Sequence, residues 1–108
     1  MAKPVQLRRL AGADIEAAVE YYSSEAGPDV AMRYLDALEQ GLNHIGRHPG
    51  HGSLRFAYEL DIPELRSWPL ARFPYVIFYV EREAHIDAWR ILHTRRDIPA
   101  VVTDDPEA

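Results

Sequence analysis

An α+β fold, with an N-terminal strand and an antiparallel helical hairpin packed on a small antiparallel β-sheet, follows from three features of the sequence. Between residues 13 and 45 apolar side chains recur at three- and four-residue intervals, the spacing of a helix face. After residue 65 the period changes to two, the spacing of a strand. The chain is 108 residues long and 47% hydrophobic, which suits one domain with enough apolar surface to offset its ordering entropy.

Val5 and Leu7 alternate with Gln6 and Arg8, which predicts a short first strand with Pro4 tolerated at its start. Gly12 breaks that pattern. From Ala13 the residues Ile15, Ala18, Val19 and Tyr22 give a first helix, with Asp14 and Glu16 in its first turn where the helix dipole favours acids. Gly27 closes it, and Pro28 opens the second helix at the position where proline fits. That helix carries the clearest stripe in the chain: Ala31, Tyr34, Leu35, Leu38, Gly41, Leu42 and Ile45. Gly41 costs about 1 kcal/mol relative to alanine, which predicts close approach by the first helix. Pro49 and Gly50 end the stripe, and the short link makes the two helices antiparallel.

Residues 51–64 read as a long loop with a short strand near Leu54–Tyr58. Leu65–Leu70 reads as a strand that Pro69 confines to an edge or bulge. Tyr75–Val80 is apolar on both faces, as a central strand is, and His85–His93 is the last strand after a turn at residues 81–84. Strands joined so closely pair antiparallel, because a parallel pair needs a crossover of about a dozen residues. A single domain over residues 1–97 is therefore expected, followed by an acidic tail over 98–108, disordered from Thr103.

Composition narrows the function. With no cysteine there is no disulfide, no thiolate-bound zinc and no thiol nucleophile. The first twelve residues lack the apolar stretch of a signal peptide, and no run approaches the roughly 18 apolar residues of a membrane span, so a soluble cytoplasmic protein is expected. The net charge of −5 argues against a protein that coats nucleic acid. The charge is uneven, however: residues 66–97 hold six arginines against four acids, and the tail ends in Asp104, Asp105 and Glu107. Eleven of the twelve cations are arginine, the side chain suited to bidentate carboxylate or phosphate contacts.

Several constellations hold residue types that can carry chemistry. His44, His48 and His51 have metal-ligand spacing but no neighbouring acid, and Pro49 intervenes; a cationic cluster at a helix C-terminus is the better account, and no metal or other cofactor is expected. Ser53 in GHGSL lacks the second glycine of a nucleophile elbow. The aromatic residues Trp68, Phe73, Tyr75, Phe78, Tyr79 and Trp89 read mainly as core. In RILHTRRD, Arg90, His93, Arg95 and Arg96 gather at the end of the last strand, placed beside Arg66 and Arg72 by the expected meander. Such a cluster suits a phosphate or the acidic side of a protein. His93 has the chemistry of a general acid or base, and Asp97 is expected to pair with an arginine rather than to orient it.

The run LRSWPLARFPYVIFYVERE, followed by HIDAWRILHTRRD, resembles the C-terminal signature of ParE-type toxins of type II toxin–antitoxin systems, within the RelE/ParE superfamily. DIEAAVEYYSSEAG and the second helix ending in GRHPGHG are similar to that family's helical hairpin, so the resemblance runs from Val5 to Asp97. It implies a toxin that inhibits DNA gyrase, trapping it on cleaved DNA, and that forms a hetero-oligomer with a ParD-like antitoxin whose flexible segment wraps along it. RelE-type relatives instead cleave mRNA on the ribosome, with cations on the sheet and an acid/base, often Lys, Arg and a late Tyr. Here the sheet has no Lys, and no Tyr follows Arg90–Arg96. The expectation is thus a protein inhibitor with no catalytic residue, no sequence-specific nucleic-acid binding and no membrane, using Arg66, Arg72, Arg90, Arg95 and Arg96 to hold its partner. The alternative is an endoribonuclease using His93, Arg90, Arg72 and Arg66. A toxin fold that has lost its poison is a third reading.

Overall fold

A computed structural model describes residues 2–96 and 98–103. The chain runs β1 (Val5–Leu7), α1 (Arg9–Ala26), α2 (Pro28–Arg47), a 3-10 turn (Pro49–His51), α3 (Arg55–Leu60), β2 (Arg66–Pro69), β3 (Tyr75–Glu81), β4 (Ile86–His93) and α4 (Ile98–Thr103). The four strands form one sheet in the order β1-β4-β3-β2. The meander β2–β3–β4 is antiparallel as expected. β1, however, pairs parallel to β4, so the sheet is mixed rather than wholly antiparallel. The helical hairpin and the meander intervene between these two strands, a connection ample for parallel pairing.

The hairpin covers one face of the sheet, where Tyr34, Leu38 and Ile45 pack with Ile77, Tyr79, Ile86 and Ile91. The opposite face is covered too. Phe78, Val80, Trp89 and Leu92 are buried there with Ile98 and Val102 of α4, and Phe56, Ala57 and Leu60 of α3 pack against them. This second layer explains why β3 is apolar from Tyr75 to Val80: odd residues serve one core and even residues the other. Two of the residues read as tail, Ile98 and Val102, are thus buried. Asp97 and residues 104–108 lie outside the described residues.

Three local expectations are corrected. α1 begins at Arg9 and runs through Gly12, so Asp14 sits beyond its first turn and serves a different purpose, described below. Gly41 faces the sheet, not α1: a Cβ there would lie 3.0 Å from Ile77 and 3.1 Å from Leu70. The expected strand near Leu54–Tyr58 is the helix α3. Ser53, set aside as a nucleophile on sequence grounds, exchanges backbone hydrogen bonds with Ser67, and its hydroxyl accepts from the Arg55 N–H at the start of α3.

One irregularity sets the orientation of the sheet's end. Between Phe78 and Tyr79 the β3–β4 register shifts, so that Tyr79 faces Ala88 but Phe78 faces Arg90, leaving Trp89 as an extra residue. Such a bulge reverses the phase of a strand. Ile86 before it and Ile91 after it consequently share the hairpin side, while Leu92 joins Trp89 on the other.

Candidate functional site

His93 ends β4 opposite Tyr75, the first residue of β3. By the phase set at the bulge, it falls on the same side as Ile91 and therefore toward α1. There it lines an open groove of about 380 Å³ with Tyr21, Tyr75, Arg95 and Arg96. A recess of about 230 Å³ shares Tyr21, Tyr75, His93 and Arg96 and reaches Asp14.

The walls of this groove are braced from behind. Tyr21, 58% exposed, packs against Tyr22 with ring centroids 5.3 Å apart. Tyr22 contacts Tyr34, Phe73 and Tyr75, and Tyr75 meets the His93 ring edge-to-face at 5.2 Å. Burial raises the Tyr75 hydroxyl above its ordinary pKa, proximity to Tyr22 adds to this, and Arg96 pulls it slightly back. Behind them Tyr34 is fully buried, its hydroxyl has no hydrogen-bond partner among the described residues, and burial pushes its pKa far up. With their pKa values raised, Tyr22, Tyr34 and Tyr75 remain neutral phenols at physiological pH.

The Arg95 backbone N–H donates to His93 Nδ1 at 3.0 Å. A nitrogen that accepts carries no proton, so the neutral ring holds its proton on Nε2. His93 is therefore fixed as a donor toward any ligand of the groove.

Three sequence candidates, His93, Arg95 and Arg96, thus come together. The other three do not join them. Arg90 is buried beneath the groove and donates through both Nε and Nη2 to the Asp14 carboxylate, each at 2.8 Å. Asp14 also accepts from the Ile91 backbone N–H at 3.0 Å. Arg66 lies level with Tyr79 and Ala88, toward the opposite end of the sheet from His93. Its guanidinium donates to Gly50 and Gly52 carbonyls, and the Tyr79 hydroxyl donates to Pro49, so together they clamp the turn before α3. Arg72, with φ of 68°, sits in the β2–β3 turn and lines a separate depression with Arg33, Asp36 and Gln40. The expected convergence of Arg66 and Arg72 with RILHTRRD is therefore not found, because pairing register sends Arg66 toward one end of the sheet and the turn sends Arg72 toward α2.

Another cavity, of about 670 Å³, lies between α3 and the β3–β4 turn, with Arg66 in its lining but none of His93, Arg95 and Arg96. Its cations are matched by acids, with Lys3 bonded to Glu81 at 2.8 Å. The three histidines do meet, but ring against ring. His48 stacks on His51 at 4.6 Å, His44 stacks on Trp68 at 4.2 Å, and His44 Nε2 shares a hydrogen bond with His51 Nδ1 at 3.0 Å. Among the described residues no group of three potential ligands is arranged to hold a metal ion. Nor, among them, is any helix long and apolar enough to cross a membrane.

Sequence reasoning passed over Tyr21, Tyr75 and Asp14 as site residues. The adjacent pair Tyr21-Tyr22 held one usable signal: neighbours on a helix point about 100° apart, so only one of them can enter the core.

No curated protein matches this chain. Among solved structures, its fold is similar to a chain described as the "Chromosomal ParDE TA system from P. aeruginosa", with a TM-score of 0.71 and 20% identity over 85% of this chain and 96% of that one. The model of the family described as "ParE toxin of type II toxin-antitoxin system, parDE" matches residues 5–98. The mixed sheet under a helical hairpin and the match along nearly the whole length agree: this chain belongs to the ParE toxin family of type II toxin–antitoxin systems.

Proposed function

We propose that this ParE-family chain arrests growth in the cytoplasm as a protein inhibitor of DNA gyrase, held in check by a cognate ParD-like antitoxin. The observation that carries this reading over the ribonuclease alternative is the dispersal of the four nuclease candidates. Arg90 is engaged by Asp14, Arg66 clamps a loop, Arg72 lies toward α2, and only His93 lines the groove. Hydrolysis of a phosphodiester needs an acid, a base and charge stabilisation within reach of one phosphate. Inhibition of another enzyme needs only a complementary surface.

Two surfaces suit an acidic, amphipathic antitoxin segment, the mode in which an apolar helix face enters a groove. Arg95 and Arg96 are exposed at the sheet end, and the outer side of α2 presents Met32, 57% exposed, beside Leu35 and Leu42. The likeness of fold to a chain of a ParDE system supports a partner of this kind.

A gyrase supercoiling assay titrated with the purified chain, scored for linear DNA as well as for lost supercoiling, tests the proposal. Inhibition with accumulated cleaved DNA is expected. Undiminished supercoiling at excess folded chain, together with ribosome-dependent mRNA cleavage lost in His93→Ala, would transfer the assignment to the nuclease.

A further inference from the structure

We infer that the groove between α1 and the end of β4 binds one nucleotide unit of a single nucleic-acid strand, its phosphate held by His93, Arg95 and Arg96 and its base laid against Tyr21. Four observations lead there. The groove gathers two exposed guanidinium groups, which prefer phosphate or carboxylate. The hydrogen bond from the Arg95 N–H occupies His93 Nδ1, which leaves Nε2 as the donor nitrogen for an anionic oxygen. Tyr21 remains 58% exposed, yet its ring is seated on Tyr22, so it offers aromatic surface without needing to be ordered on binding. Finally, Asp14, the acid that reaches the recess, has its charge answered by Arg90 at 2.8 Å and does not repel an anion as a free carboxylate would.

A carboxylate from an acidic peptide would use the cations and leave the ring idle. A nucleotide uses both, because every base has a face that stacks on an aromatic side chain. The overall charge of −5 provides no long-range attraction for a polyanion. Contact is accordingly local, limited to one phosphate, and tolerant of base sequence, since any base can stack on Tyr21. The inference does not require gyrase to be the target, and its test contains no gyrase.

The experiment is fluorescence anisotropy of a labelled ten-residue oligo-dT titrated with the full chain, with thymidine 5′-monophosphate, inorganic phosphate and a glutamate-rich peptide as competitors. Saturable binding is expected, with the nucleotide competing better than inorganic phosphate. The log–log salt dependence should have a slope of about −0.7, as one neutralised phosphate on a single strand gives. Tyr21→Ser should weaken binding about tenfold, and Arg95→Glu with Arg96→Glu should abolish it. All three positions are exposed, and circular dichroism checks that the variants remain folded. Absent binding of oligo-dT overturns the inference, as does binding unchanged in the Arg95/Arg96 variant. Binding of the peptide alone would assign the groove to protein carboxylates instead, and unchanged affinity in Tyr21→Ser would leave a bare anion site and refute the nucleotide assignment.

Discussion

Asp14 and Arg90 carry more structural consequence than their places in the sequence suggest. Their side chains are only 9% and 11% exposed and joined by two hydrogen bonds, and Asp14 also holds the β4 backbone at Ile91. Removing one partner of such a pair leaves a charge buried and unanswered, which costs about 3–5 kcal/mol. Arg90→Met should therefore lower the urea midpoint sharply, and the double variant Asp14→Leu with Arg90→Met should recover part of that loss. A second residue-scale prediction concerns pH. Desolvation first, and then repulsion from His51 and His48, hold the His44 imidazole below its ordinary pKa of 6.5. A histidine depressed in the fold contributes stability that is intact above 6.5 and declines as pH falls toward its folded value. Urea midpoints at pH 7.5 and 5.5 should drop toward the acid side, and the drop should shrink in His44→Gln.

Elements depend on close contacts that particular residues permit. At Gly46, near the end of α2, a Cβ would lie 2.9 Å from the Lys3 carbonyl, and the Lys3 N–H donates to the Gly46 carbonyl. Gly46→Ala should push α2 away from the lead into β1 and destabilise by about 1–3 kcal/mol, the range for overpacking. α4 makes the complementary case. Ile98 and Val102 are buried on the sheet face opposite the hairpin. A chain truncated after Arg96 should lose about 3–5 kcal/mol, since each fully buried aliphatic side chain is worth about 1.5–3 kcal/mol; the measurement is urea denaturation beside the full chain. The hairpin and meander were legible in the sequence because each repeats its period over several turns or residues. α3 was not: its packing face consists of Phe56, Ala57 and Leu60 within six residues, too few to distinguish a helix from a strand. α4 was obscured for a different reason, since its two buried residues stand just before Asp104, Asp105 and Glu107, which set the charge of the tail.

The whole molecule is three layers: a hairpin, a sheet and a thinner cover of α3 and α4. β3 and β4 lie inside the sheet and contribute to both cores, so their amides should exchange slowest with deuterium, while those of β1 and the segment between α2 and β2 should exchange early. Of the candidate site, His93, Arg95 and Arg96 were legible because they adjoin one another in the chain. Tyr21 and Tyr75 were not, because their place beside His93 depends on how β4 is phased. Strict alternation along His85–His93 would group Ile86, Ala88, Arg90 and Leu92 on one side and turn His93 away from them; the extra residue at Trp89 moves Ile91 and His93 to the hairpin side instead. The bulge therefore works as a reading frame in space. Deleting Trp89 would subtract a single letter from the chain, yet every downstream side chain would change sides, and the groove would disappear with all of its residues still present.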